Sequence, residues 1–299
     1  MAQTNNSSTL TLEKKRSLSP ESTEEVRVLG IAEYEQAAQC LAEAFAVDEV
    51  ARYFIDMEDM ATYSEEYKWK LHCDILRYVT AAHCYKGIVT TIGPDYDAVA
   101  LWYVIPVPFT FPSQLLLRFR DSMRIRGIDE RYRMPPGKNM DDLWTILRSG
   151  MWRLWYKLSS EGKTRFYNEF LPLLHHTKHD IMGPRDDDSY YLVYLGSKPS
   201  ARGKGYAKKL IEHMTARVCF NFPPFSSSML IACKQADLEN RATYLESSAH
   251  SNMTYYEKYG FEQKIDIQLV RGPKPIKLHI MVREPQPVAE SSNGRLGRV

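Results

Sequence analysis

The sequence predicts a mixed α/β fold in which helices flank a central, mostly antiparallel sheet. Residues 190–195 form an apolar run that ends at a glycine-containing turn, and a helix-forming stretch follows from residue 208, in the order strand, turn, helix. Two further pairs of apolar runs are separated by the turn residues Gly93-Pro94-Asp95 and Gly272-Pro273. Short turns of this kind join neighbouring antiparallel strands, and they predict the hairpins of the sheet.

The remaining elements are predicted in chain order from the spacing of apolar residues. Strands are expected at residues 26–29, 87–92, 98–104, 190–195, 228–233, 243–245, 261–270 and 276–283. Helices are expected at 33–46, 65–85, from 208 to near Pro223, and between a cap at Ser248 or Ser251 and a stop at Gly260. Residues 113–179 are predicted to be helical and irregular. The closely spaced Trp144, Trp152 and Trp155 are expected in the core, and stacking on a flat aromatic substrate is their alternative role.

Length and composition predict one large domain. The chain has 299 residues, of which 44% are hydrophobic, enough to bury a full core. Residues 1–22 are polar and are expected to be a disordered tail. Residues 23–285 are expected to form a single domain with a helical, aromatic-rich insertion at about 106–188. Residues 286–299 are expected to be a mobile tail.

Charge, hydropathy and cysteine content argue against a nucleic-acid-binding, a membrane-spanning or a secreted protein. The net charge of +2 gives no basic excess for nucleic acid, and no apolar stretch reaches the length of a membrane span. The first twenty residues lack the apolar core of a secretory signal. Five scattered cysteines without a C-x-x-C pair suggest free thiols in a reducing compartment. We therefore expect a cytoplasmic protein, with a nuclear location left open; the oligomeric state is not predicted.

The turn after the strand at 190–195 has the composition of a phosphate-binding loop. Its residues are Arg202-Gly203-Lys204-Gly205-Tyr206-Ala207. A helix start offers unpaired backbone N–H groups and the positive end of the helix dipole, and the two glycines let a ligand approach the backbone. Neither common nucleotide motif, G-x-G-x-x-G or G-x-x-x-x-G-K-[ST], is present. The spacing Arg-x-x-Gly-x-Ala instead resembles the acyl-CoA pyrophosphate loop of the GNAT N-acetyltransferase superfamily.

A second motif lies about forty residues further on. The segment Asn252-Met-Thr-Tyr-Tyr256-Glu-Lys-Tyr-Gly-Phe261 resembles the Asn…Tyr-Glu-Lys-x-Gly-Phe motif that these enzymes carry after their fifth strand. The family's asparagine usually lies further upstream, where this chain has Ala249. Within the superfamily the chain is most similar to puromycin N-acetyltransferases, which share the Leu-Glu-x-Ser-Ala pattern found here at 245–249. The similarity is poor between residues 106 and 188.

The resemblance implies a GNAT-type fold and acetyl-CoA as co-substrate. In the family the fourth and fifth strands separate to admit the pantetheine arm. Backbone N–H groups of the strand before the loop bind the developing oxyanion, here around Val193, Tyr194 and Leu195. The implied cofactor-binding residues are those three, the loop residues 202–207 and Asn252, whose alternative role is to cap a helix. Arg202 is expected to bind phosphate or to stabilise the loop, and Lys204 is either close to phosphate or an ordinary solvated lysine.

Two side chains are candidates for proton transfer. Glu246 follows an apolar strand and precedes small residues, so its carboxylate is expected to face an open cleft and to act as the base; its alternative is an ordinary strand-end hydrogen bond. Tyr256 matches the tyrosine that protonates the leaving thiolate in the family, and a phenol with a pKa of about 10 suits that step. The alternatives are that Tyr256 is only a core aromatic residue, or that Tyr255 is the acid.

The predicted function is an acetyl-CoA-dependent N-acetyltransferase that acts on the primary amine of a small molecule or xenobiotic, by direct attack in a ternary complex. A protein or peptide acetyltransferase and a catalytically silent CoA-binding regulatory protein remain alternatives. The cluster His175-His176-Thr177-Lys178-His179-Asp180 resembles a metal site at first sight. Histidines in a polar segment more commonly form a solvated loop or a pocket wall, so no metal is expected. A hydrolase built on that cluster is the third alternative.

Overall fold

The described strands form one mixed sheet. The computed structural model describes residues 25–104, 143–215 and 236–286. Seven strands lie in the order β1-β2-β3-β4-β5-β7-β6, and only the β4–β5 pair is parallel. Their bounds are β1 Arg27–Leu29, β2 Ile88–Ile92, β3 Ala98–Val104, β4 Ser189–Ser197, β5 Ala242–Ser247, β6 Phe261–Leu269 and β7 Ile276–Arg283. The predicted fold class, a mostly antiparallel sheet flanked by helices, is confirmed.

Helices cover both faces of this sheet. They are α1 Tyr34–Ala44, α2 Glu49–Tyr53, α3 Glu65–Lys86, α4 Leu143–Ser149, α5 Leu154–Lys157, α6 Ser160–Lys163, α7 Leu171–Met182, α8 Tyr206–Thr215 and α9 Met253–Glu257. A π-helix, Thr164–Phe170, joins α6 to α7. Within the described ranges, no helix combines the length and the apolar character that crossing a membrane requires.

The alternation of side chains along β3 divides the core. Ala98, Ala100 and Trp102 belong to the cluster that α8 and α9 cover, whereas Val99 and Leu101 belong to the cluster that α1 and α3 cover. Successive strand residues point to opposite faces of a sheet, so α8 and α9 lie on one face and α1 and α3 on the other. A third cluster joins α2, α3 and the helical segment 143–182 to β5, β6 and β7.

Most predicted elements are confirmed within a few residues, and two predictions are wrong. Trp144, Trp152 and Trp155 are 66%, 42% and 39% exposed rather than buried in the core. Neither predicted serine caps α9, because the N-cap position belongs to Asn252 and no side chain caps the helix there. The strand at 228–233 and the first part of the insertion lie outside the described residues. Residues 143–188 are helical as expected, and the domain limits remain a prediction.

Candidate active site

A gap opens between the two parallel strands at the centre of the sheet. The register pairs Ser189 with Ala242 and continues only as far as Leu192 with Leu245. Beyond that point β4 continues to Ser197 and pairs with β3, whereas Glu246 and Ser247 of β5 pair with β7 alone. The backbone of the second half of β4 is therefore not used by β5, and a ligand can reach it from that side.

A β-bulge lies in β4 where the gap begins. Leu101 of β3 pairs with Tyr194 and Trp102 pairs with Leu192, so Val193 is the extra residue of the bulge. A bulge leaves one residue outside the hydrogen-bond ladder and turns the strand locally. The predicted oxyanion residues Val193, Tyr194 and Leu195 all line one cavity.

The predicted phosphate loop has the backbone that its glycines suggest. Gly203 and Gly205 have φ values of +81° and +75°, in the left-handed region that favours glycine. α8 starts directly afterwards, at Tyr206. Arg202 donates a hydrogen bond from its guanidinium to the carbonyl oxygen of Ala44 at 3.3 Å, which joins the loop to the end of α1. Residues 202–207 lie outside the wall of the cavity that contains Val193.

Glu246 lies near the end of β5, on the wall of that cavity. Its Oε2 accepts a hydrogen bond of 2.6 Å from the hydroxyl of Tyr191, and its Oε1 is buried without a hydrogen-bond partner among the residues the structure describes. Burial raises the pKa of Glu246 to about 7, while Tyr191, Tyr244 and Lys178 oppose that rise. A carboxyl group with this pKa exchanges protons readily near neutral pH.

Lys178 of α7 connects the insertion to this carboxylate. Its Nζ lies 5.9 Å from the ring centroid of Tyr191 and 5.8 Å from that of Tyr244, within the range of a cation–π interaction. The same ammonium donates to the backbone oxygen of Asp186 at 2.6 Å and pairs with its carboxylate. The sequence pattern places Lys178 only within a histidine cluster and does not connect it to Glu246.

Tyr256 of α9 and Asn252, the residue before that helix, line the same cavity. Tyr256 is 9% exposed, and burial raises the pKa of its hydroxyl to about 12. The neighbouring Tyr255 packs on Tyr259 at a centroid distance of 5.1 Å and does not line the cavity. The side chain of Asn252 makes no capping hydrogen bond. The geometry therefore brings Tyr256, rather than Tyr255, into one space with Glu246.

Asp48 holds the end of β5 against α2. Its Oδ1 accepts a hydrogen bond from the backbone N–H of Ala51, which caps α2, and its Oδ2 accepts one of 2.6 Å from the hydroxyl of Ser248. Ser248, predicted as a helix cap, thus serves a contact 200 residues away in sequence. Nothing local to either residue indicates this pair, so the sequence could not have revealed it.

The cavity has a volume of about 650 Å³ and passes through the gap between β4 and β5. Tyr256 belongs to the core cluster on the α8 face, and Phe54 and Phe166 belong to the cluster on the opposite side; all three line the cavity. The α2, α3 and α7 helices and the π-helix form its wall on that second side. This volume is typical of a small-molecule site.

The histidine cluster lies in the wall of the cavity. His175, His176 and His179 line the cavity. Across the part of the chain that is described, no group of three or more His, Cys, Asp or Glu side chains is arranged to hold a metal ion.

Comparison with known proteins places the chain among acetyltransferases. It is 37% identical over 254 residues to an uncharacterised N-acetyltransferase of Schizosaccharomyces pombe, covering 85% of this chain and 81% of the relative. No family model matches the sequence.

Two solved structures are similar at low identity. One, from Corynebacterium glutamicum, is described as histone acetyltransferase HPA2 and related acetyltransferase, with 15% identity, 90% of this chain and 99% of that chain covered, and a TM-score of 0.41. The other is arylalkylamine N-acetyltransferase 2 of Aedes aegypti, with 14% identity, 88% and 99% covered, and a TM-score of 0.40.

Proposed function

The chain belongs to the GNAT-type N-acetyltransferases and is an acyltransferase, and we propose that it transfers acetyl from acetyl-CoA to the primary amine of a small molecule. The main support is the cavity at the gap between β4 and β5, which Glu246 and Tyr256 both line. Attack occurs directly in a ternary complex of enzyme, acetyl-CoA and amine, without an acyl-enzyme.

In the proposed donor end of the cavity, the thioester lies beside the bulge of β4. Backbone N–H groups of residues 193–195 donate to the oxyanion that develops when the amine attacks. This role is supported by the bulge at Val193, which frees backbone groups from the ladder, and by the open side of β4. Asn252 contacts the pantetheine arm, and the loop at Gly203 and Gly205 presents backbone N–H groups to the pyrophosphate. Losing one oxyanion donor typically costs about 10²–10³ in rate.

Glu246 is the proposed base and Tyr256 the proposed acid. Only a free amine can attack the thioester carbon, so Glu246 accepts the proton that the amine nitrogen loses as the N–C bond forms. The C–S bond then breaks, and Tyr256 donates its hydroxyl proton to the departing thiolate. Burial raises the pKa of Glu246 to about 7, and this value suits a base at neutral pH. The products are an amide and free CoA thiol.

A small acceptor is favoured over a protein because helices line the side of the cavity where the acceptor is proposed to bind. Arg165 of the π-helix is buried and donates to the carbonyl oxygens of Tyr53 at 2.9 Å and Arg271 at 3.2 Å. Glu169 accepts a hydrogen bond from the hydroxyl of Tyr53 at 2.5 Å. These contacts hold the π-helix against α2 and the turn between β6 and β7, so that helices line this side of the cavity, which favours a small acceptor.

The test combines binding and turnover. Acetyl-CoA should raise the melting temperature of the purified protein, because a ligand that binds only the folded state stabilises it. Thiol release should then be followed against a panel of amines that includes puromycin, chosen for the sequence similarity at residues 245–249. Stabilisation without turnover on any small amine would favour a protein substrate or a silent CoA-binding protein. If acetyl-CoA gives no stabilisation, the proposed donor site is wrong.

A further inference from the structure

Helix α7 and the end of the π-helix line the cavity with a face whose polarity changes along its length. Phe170, Leu174 and Lys178 are spaced four residues apart and all line it, as expected for one helical face. At a rise of 1.5 Å per residue, the eight steps from Phe170 to Lys178 span about 12 Å. This face therefore changes from apolar to cationic along the length of the cavity.

The cationic end of that face lies at the proposed base. Lys178 lies over the rings of Tyr191 and Tyr244, and the hydroxyl of Tyr191 donates to Glu246. The carboxylate of Asp186, which pairs with Lys178, belongs to the same end. The charged groups of α7 and its following turn thus gather where the amine nitrogen of the acceptor must lie for proton transfer.

The other end is aromatic and apolar. The ring of Phe170 lies 5.0 Å from that of Phe54, and Phe54 lies 5.5 Å from Phe166, each pair in edge-to-face geometry. Phe170 and Leu174 are only half-buried, so part of each side chain faces the empty space. Such surfaces gain free energy when an apolar ligand covers them.

Among the described residues that line the cavity, the charged side chains are Asp48, Lys178, Asp186, Asp187 and Glu246, and none of them belongs to the helical stretch between Phe170 and Leu174. Arg165 is directed to two backbone carbonyls and does not line the cavity. Each carboxylate oxygen of Asp48 already accepts a hydrogen bond, one from α2 and one from the residue after β5. The α3 wall contributes His72 and His83, and burial lowers the pKa of both, that of His83 to about 4. Both histidines are therefore neutral at physiological pH.

We infer that Phe54, Phe170 and Leu174 form an apolar acceptor subsite that binds the hydrocarbon or aromatic body of a primary monoamine whose nitrogen lies at Glu246. This inference rests on the proposed function and defines its substrate class. The preferred acceptor extends about 10 Å from its amine and carries no second charge at its far end. A diamine of equal length is disfavoured, because its second ammonium would lie against Phe54, Phe170 and Leu174, none of which can pair with it.

The test compares acceptors of matched shape. Heptylamine and 1,6-diaminohexane differ in replacing a terminal methyl group by an ammonium, ethylamine is too short to reach the subsite, and 4-phenylbutylamine places an aromatic ring there. Initial rates of thiol release give kcat/KM for each amine. We expect heptylamine and 4-phenylbutylamine to exceed 1,6-diaminohexane by about 100-fold. Equal values for the diamine, or for ethylamine, would overturn the inference.

Variants assign the preference to the subsite. Phe170→Glu should reduce the ratio of heptylamine to diamine at least about tenfold, since its carboxylate can pair with the second ammonium. Leu174→Gln keeps nearly the same side-chain volume and should also lower the ratio of heptylamine to diamine. If Phe170→Glu does not fold, the ratio measured with Leu174→Gln tests the subsite. Tyr156→Ala is the control, because Tyr156 lies in the insertion but is 77% exposed and lies away from the cavity. Unchanged ratios in both subsite variants would contradict the assignment.

Binding separates this inference from the proposed function. If no amine is acetylated, the proposed reaction is wrong, and melting temperatures measured with each amine still test the subsite. In that case 4-phenylbutylamine should stabilise the protein and 1,6-diaminohexane should not, with the difference lost in Leu174→Gln. The absence of any difference would overturn the subsite.

Discussion

The proposed donor site and the proposed acceptor end of the cavity are built in different ways. The proposed donor site comes from two continuous stretches of chain, each a strand followed by a turn and a helix: β4 with the loop and α8, which lie outside the cavity wall, and β5 with α9. The acceptor end is assembled from distant segments, as in the contact between Arg165 and Tyr53, which are 112 residues apart. A local motif fixes the position of a backbone, whereas long-range packing fixes the shape and polarity of a wall.

This difference separates general chemistry from specificity. Thioester binding and proton transfer to the thiolate need backbone N–H groups and one phenol, which short motifs can supply. The choice of acceptor depends on which side chains line a common space, as the packed rings of Phe54 and Phe170 do. Substitutions at the donor end should therefore affect every amine equally, and those at the acceptor end should discriminate among amines.

The largest expected effect is at Glu246, where the two ends meet. Glu246→Gln keeps the shape of the side chain but cannot accept the amine proton, and we expect the rate of acetyl transfer to fall about 10²–10⁴-fold. The melting-temperature shift with acetyl-CoA should remain, because the donor end is intact. Glu262→Gln, at a solvent-exposed glutamate of β6, is the matched control and should keep full activity. Wild-type turnover of Glu246→Gln between pH 6 and 9 would remove Glu246 as the base.

A smaller effect is expected at Tyr256. Tyr256→Phe removes only the hydroxyl from a ring that stays packed against Phe261, so the fold should be unchanged. We expect kcat to fall about 10–100-fold for every amine, since the thiolate loses its proton donor. The neighbouring substitution Tyr255→Phe provides the comparison, because that ring lies away from the cavity. If Tyr255→Phe is the more damaging variant, the acid has been misassigned.

The loop before α8 should affect acetyl-CoA binding alone. Gly203 has a φ of +81°, and no atom lies within 4 Å of the position that a Cβ would occupy, so alanine meets no neighbour there but strains the backbone. That strain costs about 1–2 kcal/mol, so Gly203→Ala should raise the KM for acetyl-CoA about tenfold and leave the KM for the amine unchanged. Gly183→Ala, at another open positive-φ glycine that lies away from the loop, controls for strain in general. Equal effects on both substrates would contradict a role confined to the donor end.

The same contrast explains how far the sequence could predict the molecule. The glycines of the loop and the strand that carries Glu246 are recognisable because their proposed function depends on residues close together in the chain. The prediction that Trp144 and Trp152 lie in the core is wrong because helical spacing defines a face without saying whether another element covers it. The Asp48–Ser248 contact has no local indication at all. A signal does exist for Lys178, which lies on one helical face with Leu174, but only the fold shows that this face meets Glu246.

Lys178 should give the smallest and most specific effect, on the pH dependence of the reaction. Its positive charge lowers the pKa of Glu246, which burial holds at about 7. Lys178→Met removes that charge and leaves Asp186 without its lysine, so the pKa of Glu246 should rise. More of the carboxyl group is then protonated at neutral pH, and the rising limb of the pH–rate profile should move about 0.5–1 pH unit higher. Lys178→Arg keeps the charge and should keep the wild-type profile. If the Lys178→Met variant is slower at every pH but its profile does not move along the pH axis, Lys178 has only a structural role in the cavity wall and does not set the pKa of Glu246.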